Sequence, residues 1–239
     1  MIKEKPCPTS NFFESSQIIL LSDAIYKSEI IGYDIDQIIA RSEIPVVEAF
    51  NRKHNTNFCW QDHGYGAMWN WLKQINYSDE DEIINKEALS FWESPDLLNQ
   101  APLIESTYMF MKQMKTLGKK QYIITSRKPN LEKMTRRYLM FKGITNIVSE
   151  ENIFINKSVD VKGGVFKALM IKDLKIELMF EDSLSQIEEI LRLQNNLKSS
   201  AKIIWIPAGT DKAVKKPLNI NVIKIKDEFV LPHLVAQSY

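Results

Sequence analysis

The sequence predicts a doubly wound (Rossmann-like) α/β protein: a mostly parallel sheet, helices on both faces and a small helical segment inserted after the first strand. Three observations carry that reading. After Pro102, short apolar runs alternate with stretches whose apolar residues recur at helical spacing, which is how strand–helix–strand units that build parallel sheets look. Three of the apolar runs end in polar residues: Asp34-Ile35-Asp36, Thr125-Ser126-Arg127 and Glu181-Asp182-Ser183. Between Ile44 and Asn99 the chain is instead rich in helix formers and aromatics, interrupted by Gly64, Gly66 and Pro95, which reads as a helical insert.

In chain order, residues 1–16 mix proline, serine and asparagine and read as a loose extension. A short helix is expected around Gln17 to Tyr26 and the first strand from Glu29 to Tyr33. After the insert, Ile104, Tyr108, Met111 and Met114 share one helical face, and Gly118 stops that helix. Gln121 to Ile124 reads as a strand. Asn130 is placed to cap the next helix, on which Leu131, Met134, Tyr138 and Phe141 recur. Strands are expected at Thr145 to Val148 and at Ile153 to Ile155. A helix follows from Lys162 to Asp173, despite Gly163 and Gly164, and then a strand from Lys175 to Phe180. Ser183 with Gln186 forms a capping-box pattern ahead of Ile187, Ile190 and Leu191. Lys202 to Ile206 and Asn221 to Ile225 complete the strands. The expected division is an α/β core of residues 1–41 and 102–239 and a helical cap of residues 42–101.

Composition narrows the function classes. The 239 residues suffice for a sizeable core. The 31 basic and 30 acidic residues nearly cancel, so no broad basic field for polymeric nucleic acid is present. Cys7 and Cys59 have no metal-ligand spacing and read as free thiols in a reducing compartment. The aliphatic run Ile18 to Leu21 is too short for a membrane span or a signal-peptide core. The expectation is a cytoplasmic protein without membrane association.

The chemistry concentrates at the strand ends. Alternate residues of a strand share a face, so Asp34 and Asp36 point the same way where the first strand ends. Two such charges repel, and a hard divalent cation such as Mg²⁺, which prefers carboxylate oxygens, offsets them. In a parallel sheet the ends carrying Thr125 and Glu181-Asp182 converge on the same edge, where α/β folds place ligands. Lys162 lies between them in sequence. The set holds a carboxylate nucleophile, a second carboxylate for proton transfer, a hydroxyl, a lysine and an acidic pair for metal. Phosphoryl transfer through an aspartyl-phosphate uses these groups.

In order and spacing, Asp34-Ile-Asp36, Thr125, Lys162 and Glu181-Asp182 resemble the four motifs of the haloacid-dehalogenase-like (HAD) phosphohydrolases. The resemblance spans residues 28 to 230. Within that superfamily the chain is most similar to the 5′(3′)-deoxyribonucleotidase branch, on the segments Ile123 to Arg127, Phe91 to Pro95 and Phe180 to Ser183. The resemblance implies Asp34 as nucleophile and metal ligand, and Asp36 as acid/base whose backbone carbonyl also reaches the metal. It implies Thr125, with Ser126, holding the phosphoryl group. Lys162 is the implied motif lysine, with Lys157 and Lys167 as alternatives. Asp182, followed by Glu181, would hold Mg²⁺. The implied activity is a 5′-nucleotidase-like phosphatase acting on a (deoxy)nucleoside monophosphate. The alternatives are another small phosphomonoester as substrate, or a weakly active or non-catalytic binding protein. The chain departs from the family at Gln37, where a glycine is usual.

Each residue also has a structural reading when taken singly. Thr125 and Ser126 suit a helix or turn cap, Glu181-Asp182 suits a helix N-terminus, Lys162 suits solvent and Arg127 suits a salt bridge as well as a place near substrate. Aromatics of the insert can stack on nucleobases or build the insert's own core. Tyr65 and Trp69, beside Gly64 and Gly66, are the preferred substrate contacts.

Overall fold

A computed structural model describes residues 15–62, 67–207, 221–225 and 231. Among these, six strands form one parallel sheet: β1 (Ile30–Tyr33), β2 (Lys120–Thr125), β3 (Ile153–Ile155), β4 (Leu178–Glu181), β5 (Lys202–Trp205) and β6 (Val222–Lys224). Their spatial order is β3-β2-β1-β4-β5-β6. β1 therefore sits centrally, pairing Tyr33 with Ile123 of β2 on one side and with Phe180 of β4 on the other. The connections reverse direction across β1, the switch point at which doubly wound sheets open a crevice.

The two faces of the sheet are covered by different helices, and the period of two along each strand decides which residue goes where. Ile31, Tyr33, Ile123, Leu178, Phe180 and Ile204 face one way. They pack against α1 (Ser15–Lys27), α6 (Glu105–Thr116) and α7 (Glu132–Phe141). Tyr122, Ile124, Met179, Ile203 and Trp205 face α8 (Gly163–Asp173) and α9 (Leu184–Leu197). With both faces buried, the strands read as continuous apolar runs, the mark of a parallel sheet. Gly163 and Gly164, unpromising helix formers, are there for proximity: an added Cβ would lie 2.7 Å from the Ser126 Cβ at Gly163 and 2.7 Å from the Glu189 Cβ at Gly164.

Between β1 and β2 the chain forms α2 (Glu43–His54), α3 (Ala67–Gln74), α4 (Asp81–Trp92) and α5 (Pro95–Asn99). The start of α5 is locally encoded: the Ser94 hydroxyl accepts from the Leu97 N–H at 3.4 Å, and Pro95 occupies the first turn, where it costs no hydrogen bond. Phe50, Trp71, Leu72, Ile84, Phe91 and Leu98 bury against one another. Leu131 and Met134, at the start of α7, join that cluster.

Three local expectations are corrected. Thr145 to Val148 is not a strand; Ile144–Asn146 is a 3₁₀ turn that sinks Ile144 and Val148 into the core. Asn130 does not cap α7, because Pro129–Leu131 forms a 3₁₀ turn that leads directly into the helix. Ser183 is the N-cap residue of α9, but its side chain makes no capping bond; its hydroxyl pairs with that of Ser185 at 3.1 Å. Among the described residues no helix is long and apolar enough to cross a membrane.

Candidate active site

The C-terminal ends of β1, β2 and β4 meet at one edge of the sheet. Asp34 follows β1 directly, and its N–H donates to the Phe180 carbonyl at 3.0 Å, which extends the ladder to β4 by one step. Carboxylate oxygens of Asp34, Glu181 and Asp182 all lie within 4.8 Å of one another. Three of the four residues expected at the metal, Asp34, Glu181 and Asp182, are thus brought together from adjacent strands, while Asp36 is not in this group. Glu181 and Asp34 are buried. Burial pushes the Asp34 carboxyl up to about 7; Lys167 opposes that rise, and the charges of Glu181 and Asp36 add to it. Burial, with the charges of Glu181 and Asp34, raises Asp182 well above the usual carboxylate range, against the pull of Lys167.

The lysine at this cluster is Lys167, and the assignment of Lys162 is corrected. Lys167, with no exposed surface, places its Nζ 2.6 Å from Glu181 Oε2 and 3.0 Å from Asp34 Oδ2. Burial works against its charge, but Asp34 and Glu181 hold it above the ordinary lysine value. The reason is helical geometry. Lys167 lies on the inward stripe of α8 with Gly164, Ala168 and Ile171, whereas Lys162 precedes the helix as its N-cap and is exposed. Lys157 is exposed too.

Glu181 is already well partnered, since its Oε1 also accepts from the Ser183 N–H at 3.1 Å. Asp34 is not: its Oδ1 is buried without a hydrogen-bond partner among the described residues. Such an orphaned acceptor costs free energy unless a cation or donor meets it. Asp34 and Asp182, with Glu181 beside them, therefore fit a hard divalent cation in donor type and in charge.

Asp36 occupies a different environment. Arg127 Nη2 donates to its Oδ1 at 2.6 Å and Nε to its Oδ2 at 3.0 Å, and the Ser42 hydroxyl donates to Oδ1 as well. Although burial works against the charge, Arg127 and Ser42 hold the Asp36 carboxyl below its usual value. Arg127, which suited either a salt bridge or a place near substrate, is buried and committed to protein groups, including the Thr135 hydroxyl at 3.3 Å. This contact spans 91 residues and carried no local sequence signal, nor did Ser42. Thr125 is fully buried, and its hydroxyl accepts the Arg127 N–H at 3.3 Å. Gln37, in place of glycine, adopts the left-handed conformation with φ of 60°.

Ser126 and Lys162 line a cleft of about 660 Å³ together with Asn156, Gly163, Ser185 and Gln186, and none of Asp34, Asp36, Glu181 and Asp182 lines it. Trp69 is half-buried against the insert's core, with Lys73 Nζ 4.7 Å from its ring centre. Tyr65, with Gly64 and Gly66, lies outside the described residues.

No family model matches the chain. It is 30% identical over 176 residues to the aspartate–tRNA ligase of Buchnera aphidicola, covering 67% of this chain and 28% of that protein. The chain thus spans less than a third of the length of that curated relative. Solved structures match far more fully. A HAD hydrolase of family IA from Entamoeba histolytica covers 87% of this chain and 99% of its own, at 14% identity and a TM-score of 0.54. A predicted phosphoglycolate phosphatase from Haemophilus somnus covers 87% and 97%, at 12% identity and a TM-score of 0.57. CbbY from Rhodobacter sphaeroides, in complex with phosphate, covers 85% and 96%, at 15% identity and a TM-score of 0.52. With its six-stranded parallel sheet and flanking helices, the chain has the α/β fold of the HAD-superfamily hydrolases.

Proposed function

We propose that this protein is a divalent-cation-dependent phosphomonoester hydrolase that works through an aspartyl-phosphate on Asp34. The observation that carries the reading is the meeting of Asp34, Glu181, Asp182 and Lys167 at the sheet edge, with one Asp34 oxygen buried and unpartnered. The fold neighbours add support, because they include a phosphoglycolate phosphatase by prediction and a protein bound to phosphate. The ligase likeness, confined to 28% of that enzyme, brings no ligase activity to this reading.

In the first step an Asp34 carboxylate oxygen attacks phosphorus as the bond to the leaving oxygen breaks, and that oxygen takes up a proton. In the second step water attacks the acyl-phosphate and loses its proton, releasing phosphate and restoring the Asp34 carboxylate. Asp36, the acid/base by sequence resemblance, moves those protons. Lys167 balances charge at Asp34, and the loop beginning at Thr125-Ser126 receives the phosphoryl oxygens. Asp34 and Asp182 would hold Mg²⁺, which supplies Lewis-acid neutralisation of the phosphoryl charge when bound. Helices α2 to α5 act as a cap that excludes water and selects the leaving group.

A nucleoside monophosphate is the leading substrate on sequence resemblance to the deoxyribonucleotidase branch. Phe50, Trp71 and Phe91 are spent on the insert's own core, so the described aromatics add little to that choice. Phosphate release assayed with and without Mg²⁺, beside Asp34→Asn, tests the class. Metal-dependent turnover lost in the variant is the expected result. Turnover that survives Asp34→Asn removes the nucleophile, and no turnover at all favours a binding protein. A panel of nucleotides and sugar phosphates then tests the substrate.

A further inference from the structure

We propose that Arg127 is a positioning residue that acts through Asp36, and not a contact of the substrate; the inference rests on the hydrolase reading above. An ionised carboxylate offers about four acceptor positions. On Asp36 three are filled: Oδ1 by Arg127 Nη2 and by Ser42, and Oδ2 by Arg127 Nε. The remaining position is on Oδ2. The side chain of Asp36 keeps 26% of its surface exposed while that of Arg127 keeps 3%. The Asp36 side chain is therefore reachable from outside, and that of the arginine is not. Two parallel N–H···O bonds from one planar guanidinium fix both the rotamer of the carboxylate and the direction of its open lone pair.

Arg127 is in turn held from two sides. Its Nη1 donates to Thr135 of α7, and its main-chain N–H donates to Thr125 at the end of β2. The direction in which Asp36 faces is thus set by groups on β2 and α7 as well as by Ser42 of the loop that carries it. Fixing a proton-transfer group to within a fraction of an ångström is how supporting residues raise rates without touching substrate.

The test is steady-state phosphate release from an alkyl phosphomonoester such as a nucleoside 5′-monophosphate, with Mg²⁺. Wild type is compared with Arg127→Met, Arg127→Lys, Ser42→Ala, Asp36→Asn and the double variant Asp36→Asn/Arg127→Met, each checked by thermal melting. Arg127→Met is expected to lower kcat by about 10²-fold, the scale of a misplaced acid/base group, with KM kept. Lysine, which retains charge but not the fork, should recover part of the loss. The double variant should be no slower than Asp36→Asn, because two residues acting as one unit do not add. If Arg127→Met does not fold, Arg127→Lys and Ser42→Ala carry the same comparison. A rise in KM with kcat kept would return Arg127 to the substrate and overturn the inference alone. So would a double variant slowed by the product of both single effects. No metal-dependent turnover in wild type would overturn the hydrolase reading and this inference with it.

Discussion

Replacing Lys167 by methionine separates the two lysines and measures what the buried cluster needs. Lys167 is fully buried between Asp34 Oδ2 at 3.0 Å and Glu181 Oε2 at 2.6 Å. Methionine fills similar space but leaves two buried carboxylates without their counter-charge. Removing one partner of a buried ion pair costs about 3–5 kcal/mol, because the remaining charge stays desolvated. For a chain of this size each kcal/mol moves the midpoint by roughly 2–4 °C, so a drop of about 6–20 °C is expected. The carboxylates can relieve part of the cost by binding protons, and Asp34 already sits at about 7 with Lys167 in place. The deficit should therefore be larger at about pH 8 than at about pH 5. Urea unfolding of both proteins in chelator, read as a change in midpoint at constant slope, measures it. Lys162→Met, at an exposed position with no ion pair among the described residues, should stay within about 0.5 kcal/mol of wild type. It should also turn over near the wild-type rate, while Lys167→Met loses turnover. If Lys167→Met were as stable as wild type at the higher pH, or if Lys162→Met were the more damaging, the charge argument would be wrong.

Other expectations follow from single sites. The folded carboxyl of Asp34 lies near 7, above its unfolded value of about 4, so the folded state holds more protons between those limits. Its contribution to stability is full below about pH 4 and is lost as pH rises through about 7. Melts in chelator should show Asp34→Asn with a shallower decline over that range; equal slopes would contradict the shift. Gln37→Gly relieves a left-handed residue, worth about 1 kcal/mol, but adds unfolded-state freedom of roughly 0.5–1 kcal/mol. Stability near wild type and retained turnover are expected, since the Gln37 Oε1 is buried without a partner among the described residues; a loss above about 2 kcal/mol in urea unfolding would show that the side chain supports the loop. Trp71→Ala removes a ring stacked on Phe58 at 4.5 Å and 3°, at a cost of about 3–5 kcal/mol. A change below about 1 kcal/mol would mean that the insert does not depend on its own core.

How much of this was legible in the sequence depended on the range of the interaction involved. Asp34, Thr125 and Glu181-Asp182 stood out because a parallel sheet gathers strand ends, so position on a strand already implied position in space. The strands themselves were readable for the same reason, except at Thr145 to Val148, where apolar and β-branched residues suggested a strand. There the Gly143 turn and a 3₁₀ turn serve the core instead. Lys167 stood only as an alternative to Lys162, because attention to strand ends does not rank lysines on a helix. A signal existed, since Lys167 falls on the stripe of Gly164, Ala168 and Ile171, and a lysine on a buried stripe must find a carboxylate. The partnership of Arg127 with Asp36 and Ser42 had no such trace. It joins residues 91 and 85 positions apart through side-chain direction alone, which neither periodicity nor spacing encodes. The same limit applies to Trp69, whose choice between cleft and core is made by packing.

The two aspartates that end β1 sit two residues apart, yet each has its own cation: Lys167 for Asp34, Arg127 for Asp36. Four carboxylates, those of Asp34, Asp36, Glu181 and Asp182, share the edge with these two cations, which leaves two negative charges without an opposite. Low-dielectric surroundings do not tolerate that deficit. The carboxyls that respond are Asp34 and Asp182, both raised above their ordinary values, whereas Asp36 is held low by Arg127. The deficit thus falls on the two groups best placed to receive a divalent cation, and it equals the charge that such an ion carries. Without the ion, a proton on Asp34 narrows the gap; with it, that proton has to leave. Mg²⁺ titrated by calorimetry at about pH 6, in buffers of different ionisation enthalpy, should therefore show protons released on binding. The release should shrink in Asp34→Asn and fade toward about pH 8, where Asp34 has already lost its proton. Binding with no buffer dependence at the lower pH would mean that the cluster carries its charges in some other way, and the match between deficit and ion would lose its force.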